Sequence, residues 1–353
     1  MDIIAKITGI KYTPFLCRKL NVFNLKDINE AISKDATFIL KVDDKSQIAI
    51  SWWVSAKRTR SYPYARVYDS LFFSGKKATI IPILKDEGKE GDRDFLQWDT
   101  VSLMSLLGTY VIIGYYNDAI PSSRYKNKIT EQRFDTNFIK NEIINLMSYQ
   151  SDALHWNLSQ IDNVGEIGKK ALQSYAKISK KLRIEMHSMK SAEKRIQELM
   201  KGKESFMDLS RNLAHKAQQR ESITIQPKEK LRGSKSSITI KNYLGGLYYF
   251  TSDEVEIKNN EIFLIEAKHT EKNNIPSIGD IKDGLIKMIL FTNLEDVKVS
   301  NRNYKHFPIL KLTTNGSFKI DKLNNSQKEL LTLLTKEAKM NGFKVMIDKK
   351  FLV

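Results

Sequence analysis

A mixed α+β architecture in three sections is what this 353-residue sequence predicts, and three observations lead there. Over 1–128, short β-branched and aromatic runs alternate with charged turns, as in a mixed α/β domain. Over 129–204, apolar residues recur at helical spacing, which marks a helical bridging region. Over 205–353, strands give way to the succession helix, strand, helix, strand, which describes an α/β core large enough to fold alone. At roughly 100–200 residues per domain, the length accommodates this division.

The elements follow in order. Ala36 to Val42 and Gln47 to Val54 read as strands around an Asp43-Asp44 turn, and Lys77 to Leu84 and Thr109 to Tyr116 read as buried strands. Pro82 makes the first of these pause or lie at an edge, because it cannot donate to a ladder. Lys85 to Asp94 reads as a solvated loop carrying Asp86, Glu87, Asp92 and Asp94. Phe138, Ile143, Ile144 and Met147 are expected on one helix face, and Lys169, Lys170, Lys177, Lys180 and Lys181 on a solvated one. After the basic break from Lys228 to Ser237, strands are expected at Ile238 to Asn242, Leu247 to Phe250, Glu254 to Lys258 and Ile262 to Lys268. A helix from Gly279 to Asn293, a strand from Phe307 to Thr313, a helix from Ser326 to Met340 and a strand from Phe343 to Ile347 complete the chain.

Composition narrows the function. Fifty-eight Lys and Arg against 41 Asp and Glu leave a formal charge of +17, which calls for a polyanionic partner, and nucleic acid is the default. The single cysteine, Cys17, excludes a disulfide scaffold and any CxxC site, so a reduced, cytoplasmic setting is expected. No secretory signal and no run of about eighteen apolar residues is present, so no membrane association is expected. A P-loop is missing, and the five histidines show no ligand spacing.

The chemistry concentrates in Thr251 to Thr270, TSDEVEIKNNEIFLIEAKHT. Asn259-Asn260 tolerates positive φ and suits a hairpin turn between Asp253 to Lys258 and Glu261 to Lys268. Strand alternation sends Glu266 and Lys268 to one face, with Ile265 and Ala267 on the other. A carboxylate and an ammonium among Phe263, Leu264 and Ile265 lose solvation unless something pairs them. The hairpin returns Asp253, near the start of its first strand, beside Glu266 near the end of its second. Two carboxylates and a lysine then converge, and hard oxygens of this kind suit Mg²⁺. A one-residue change of register would put Glu254 in the place of Asp253.

Ser252-Asp253 followed by Glu266-Ala267-Lys268 resembles the PD-(D/E)xK motif of the restriction-endonuclease-like nucleases, and the resemblance covers about 206–353. It implies a central mixed sheet flanked by helices. It also implies Mg²⁺ held by Asp253 and Glu266, and Asp253, Glu266 and Lys268 as catalytic residues. Ser252 departs from the proline often found there. A further acid from a preceding helix is implied, with Glu193, Glu198 and Glu221 as candidates and nothing to select among them. His269 should point away from the site.

The activity expected is that of a Mg²⁺-dependent, sequence-specific double-stranded DNA endonuclease resembling type II restriction enzymes. It would act as a homodimer or by sequential nicking, with a cognate DNA methyltransferase as genetic partner. The alternatives are a structure-specific repair or mobile-element nuclease, or a non-catalytic DNA-binding subunit. DNA contacts are expected from Lys57, Arg58, Arg60 and Arg66, interleaved with aromatics, and from the basic stretch Lys228, Lys230, Arg232 and Lys235. Trp52 and Trp53 are expected to pack.

Overall fold

The computed structural model describes residues 2–56, 61–200, 234–242, 247–271, 274–314 and 318–352. The chain divides into two compact units, Leu20–Ser210 and Met1–Lys19 joined with Arg211–Val353. The boundaries expected near 128 and 204 are corrected accordingly. The mixed and helical sections form one unit, and Met1–Lys19 belongs with the C-terminal one. The reason is a pairing between Asp2–Ile7 and Ser234–Asn242, strands so far apart along the chain that local pattern is blind to it.

In Leu20–Ser210, five strands hydrogen-bond in the order Val22–Asn24, Thr37–Lys41, Gln47–Trp52, Lys77–Pro82, Tyr110–Gly114. The second and third are antiparallel, and the Asp43 carboxylate accepts the Lys45 and Ser46 amides at 2.8 Å in the turn between them. Pro82 ends its strand as expected. The Tyr110–Gly114 edge is closed by side chains of helix Ala153–Asp162. Asn157 accepts from Val111 N at 2.6 Å, Gln160 accepts from Ile113 N, and the Trp156 indole donates to Val111 O at 2.7 Å. An edge whose polar groups are taken in this way offers no template for a foreign strand.

Two local expectations are corrected. Helix Thr136–Ser148 buries Ile139, Ile143 and Leu146, whereas Ile144 is exposed and Phe138 packs on the Tyr115 ring. The stretch Lys85 to Asp94 is no solvated loop: Leu84–Asp86 pairs with Arg93–Phe95, and Asp86 is only 3% exposed. Its carboxylate accepts from Gly88 N and meets His187 Nδ1, each at 2.8 Å. Burial would raise Glu87, but Lys85 and Lys128 pull it down to about 2. His187 and Lys128 lie far along the chain, so only folding brings them to these acids. The lysines at 169, 170, 177, 180 and 181 are exposed, as expected.

The other unit is built on a sheet whose described strands are β1 (Asp2–Ile7), β2 (Ser234–Asn242), β3 (Leu247–Lys258), β4 (Glu261–Thr270), β5 (Glu295–Val299), β6 (Arg302–Asn303), β7 (Lys305–Thr314), β8 (Lys344–Ile347) and β9 (Lys350–Phe351). They lie in the order β6-β5-β1-β2-β3-β4-β7-β8-β9. Helices α1 (Ile278–Thr292) and α2 (Asn325–Asn341) connect β4 to β5 and β7 to β8. The β2-β3-β4 meander is antiparallel, and β4, β7 and β8 run parallel, with helices supplying the crossovers. β1 runs parallel to β2 and alternates strictly, with Ile3, Ala5 and Ile7 buried. Glu337 of α2 ties down the segment after it, accepting from the Tyr12 hydroxyl at 2.7 Å and Phe15 N at 2.8 Å.

Local signals account for the boundaries here. Asn259 adopts φ 56° in the β3–β4 turn, a conformation asparagine tolerates. Ser277 caps α1 by accepting from Asp280 N. Asn324 and Gln327 form a reciprocal capping box on α2, and Gly342 ends that helix at φ 74°. A mixed α+β fold is therefore what the chain adopts. Among the described residues, no helix is long and apolar enough to cross a membrane.

Candidate active site

The site forms where the β3–β4 ladder comes apart. Regular pairing runs from Lys258 opposite Glu261 to Glu254 opposite Ile265. Beyond that, side chains replace the backbone. The Asp253 carboxylate accepts the Ala267 amide at 2.9 Å, and the Ser252 hydroxyl donates to the Ile265 carbonyl at 2.9 Å and the Glu254 carbonyl at 3.0 Å. On the other side of β3 the β2 register slips by one residue between Ser236, opposite Ser252, and Ser234, opposite Val255. A bulge of this kind re-aims a side chain while keeping the strand in its sheet. Ser252, where the resembling family often has proline, uses its hydroxyl to satisfy carbonyls that the splayed ladder leaves open.

Alternation then sorts the charges. Glu254 pairs in register with Ile265, so Asp253 and Glu266 share the opposite face with Lys268. The expected register, with Asp253 on the face of Glu266 and Lys268, is the observed one. Glu254 turns to the other face and makes a buried ion pair with Lys311 at 2.7 Å. His269 also faces away, its Nδ1 at 2.9 Å from the Thr313 hydroxyl.

Around Asp253, Glu266 and Lys268 the structure adds two groups that sequence reasoning missed, Asp283 and Lys287 of α1. Glu266 is 1% exposed. Its Oε1 receives the Lys268 ammonium at 2.9 Å, and its Oε2 receives Lys287 at 2.6 Å. Lys268 also donates to Asp283, and Lys287 to the Thr251 carbonyl at 3.2 Å. Asp283 and Lys287 are one helical turn apart in a segment otherwise dominated by Ile, Leu, Met and Phe. Charges at i and i+4 on an apolar helix were the available signal.

Electrostatics separates the two acids. Burial pushes the Asp253 carboxyl up to about 7, with the neighbouring Glu266 charge adding to the effect and Lys287 opposing it. Burial acts in the same direction on Glu266, but the charges of Lys287 and Lys268 outweigh it and hold that carboxyl at about 2. For both lysines burial favours the neutral form, yet Glu266 with Asp283 for Lys268, and Glu266 with Asp253 for Lys287, raise them above their ordinary value. Both lysines therefore stay cationic at neutral pH. Lys268 is thus a source of fixed positive charge and a poor proton acceptor.

The donor set suits a hard cation. Two carboxylates on adjacent strands, facing the same side of the sheet, fit Mg²⁺, which takes one or two protein carboxylates and keeps much of its water. No cluster of three or more His, Cys, Asp or Glu able to hold a metal ion occurs among the described residues.

The expected DNA contacts divide. Lys57, Arg58, Arg60, Lys228, Lys230 and Arg232 lie outside the described residues, and Lys235 sits on β2 with its side chain outside them. Arg66 is engaged within the fold: its guanidinium stacks 4.3 Å from the Trp52 ring and donates to the Trp52 carbonyl at 2.6 Å. Trp53, fully buried edge-on to Tyr64, packs as expected. Of the candidate upstream acids, Glu193 is exposed on helix Met189–Met200, Glu198 has its side chain outside the described residues, and Glu221 lies outside them altogether. No family model, no curated protein and no solved structure matched the chain.

Proposed function

We propose that the protein is a Mg²⁺-dependent, sequence-specific double-stranded DNA endonuclease of the type II restriction kind, with a cognate DNA methyltransferase as its genetic partner. The observation that carries the reading is the meeting of Asp253, Glu266 and Lys268 on one sheet face at the point where the β3–β4 ladder opens. The meander, helix and parallel strand around it are a mixed sheet with flanking helices, which supports the reading. The charge of +17 fits a nucleic-acid substrate.

Asp253 and Glu266 would hold the metal. When bound, Mg²⁺ would polarise the phosphate and acidify a water molecule. Lys287 and Lys268 keep Glu266 ionised and fixed in place. Lys268, anchored between Glu266 and Asp283, would present a permanent positive charge toward the negative charge that develops on the phosphoryl oxygens. The Ala267 amide and the Ser252 hydroxyl hold the opened strands in register, so both acids face the same point.

Incubation of the purified protein with phage DNA and Mg²⁺ tests the reading. Discrete fragments support it. A smear, or cutting confined to branched substrates, points to a repair or mobile-element nuclease, and retarded but intact DNA points to a non-catalytic binding subunit.

A further inference from the structure

Glu266 has more cationic company than a lone metal-ligating carboxylate requires. Lys287 Nζ bridges Glu266 Oε2 on β4 and the Thr251 carbonyl on β3, at 2.6 and 3.2 Å. Two hard oxygens from neighbouring strands are the kind of pair that a divalent cation would otherwise take. The ammonium arrives there on a stem from α1, whose residues Ile286 and Met288 on either side of Lys287 are buried.

Charge balance limits how many further cations the site accepts. The carboxylates of Asp253, Glu266 and Asp283 face the ammoniums of Lys268 and Lys287, which leaves one formal negative charge. One divalent cation turns this into one positive charge, which a phosphodiester neutralises. Two divalent cations would leave three positive charges beside a carboxylate that is 1% exposed, where little solvent is present to screen them.

We propose that this site takes a single divalent cation, and that the Lys287 ammonium is a built-in second cation occupying the oxygens a second metal would need. The inference rests on the nuclease reading above and specifies the cation requirement of the same site.

The test is a Mn²⁺ titration of the full chain by calorimetry, with electron paramagnetic resonance of the bound ions. One Mn²⁺ per chain is expected, lost in Asp253→Asn. Lys287→Gln is expected to take a second ion, spin-coupled to the first, whereas Lys287→Arg stays at one. Two coupled ions in the unaltered protein would overturn the inference and leave the nuclease reading standing, and so would a Lys287→Gln protein that still binds one. No Mn²⁺ bound in the presence or absence of DNA would instead overturn the metal-dependent nuclease reading itself. The measurement on the unaltered chain stands even if Lys287→Gln fails to fold.

Discussion

Gly284 of α1 is the point at which packing and the candidate chemistry meet most closely. A Cβ added there would lie 2.7 Å from Leu310 Cδ1 and 3.3 Å from Lys268 Cε. The first distance is roughly 1 Å inside ordinary carbon–carbon contact. Leu310 is fully buried, so it has little room to retreat. Gly284→Ala therefore sets two effects against each other. Helix propensity favours alanine by about 1 kcal/mol, and overpacking a dense core costs about 1–3 kcal/mol. The net expectation is a loss of about 0–2 kcal/mol, measured by urea denaturation. The larger effect should fall on cleavage, because the displaced stem carries the Lys268 ammonium away from Glu266. A shift well under about 1 Å in a positioned group is expected to lower the cleavage rate about tenfold or more. Gly279→Ala is the control: on the same helix, its new Cβ would meet only Ser277 Oγ, at 3.7 Å. If Gly284→Ala matches Gly279→Ala in both urea midpoint and cleavage rate, the close approach of α1 to Lys268 is wrong.

Three further outcomes are expected. Lys268→Ala should abolish cleavage while mobility-shift affinity for DNA stays within a few-fold, since affinity rests on phosphate and base contacts made elsewhere; full cleavage would remove Lys268 from the mechanism. Glu254→Gln strands the buried Lys311 charge and should cost about 3–5 kcal/mol in urea unfolding, with cleavage per folded molecule preserved. Loss of cleavage without loss of stability would place Glu254, and not Asp253, at the metal. Asp253→Asn should change the pH dependence of stability. The folded carboxyl titrates at about 7 against an ordinary 3.8, so the folded chain holds an extra proton between those values, and this group's contribution to stability falls as pH rises through them. Relative to the unaltered protein, Asp253→Asn should gain stability from pH 4 to pH 7.5, by at most about 4 kcal/mol; a constant difference across that range would refute the desolvation of Asp253.

The sequence by itself determined the parts of this protein that depend on near neighbours along the chain. The Asn259-Asn260 turn, strand alternation and the short separation of the two acids suffice to bring Asp253 beside Glu266 and to turn Glu254 away, because a hairpin is closed by local geometry. The core order of strand, helix, strand, helix, strand is legible for the same reason, since caps such as Asn324 and Gly342 act within a few residues. Tertiary structure alone decided the rest. Strand β1 joins β2 although more than 200 residues of chain separate them in sequence, and that pairing moves Met1–Lys19 into the C-terminal unit. His187 and Lys128 engage two acids of an apparent loop, Asp86 and Glu87, in a hairpin that buries Asp86. Asp283 and Lys287, ordinary charges on an amphipathic helix when read in sequence, become partners of Lys268 and Glu266 once α1 packs across the sheet. Their charge is tolerable in that interior only because the partners are there, and a linear pattern of residue types carries no record of which distant group will supply the compensating charge.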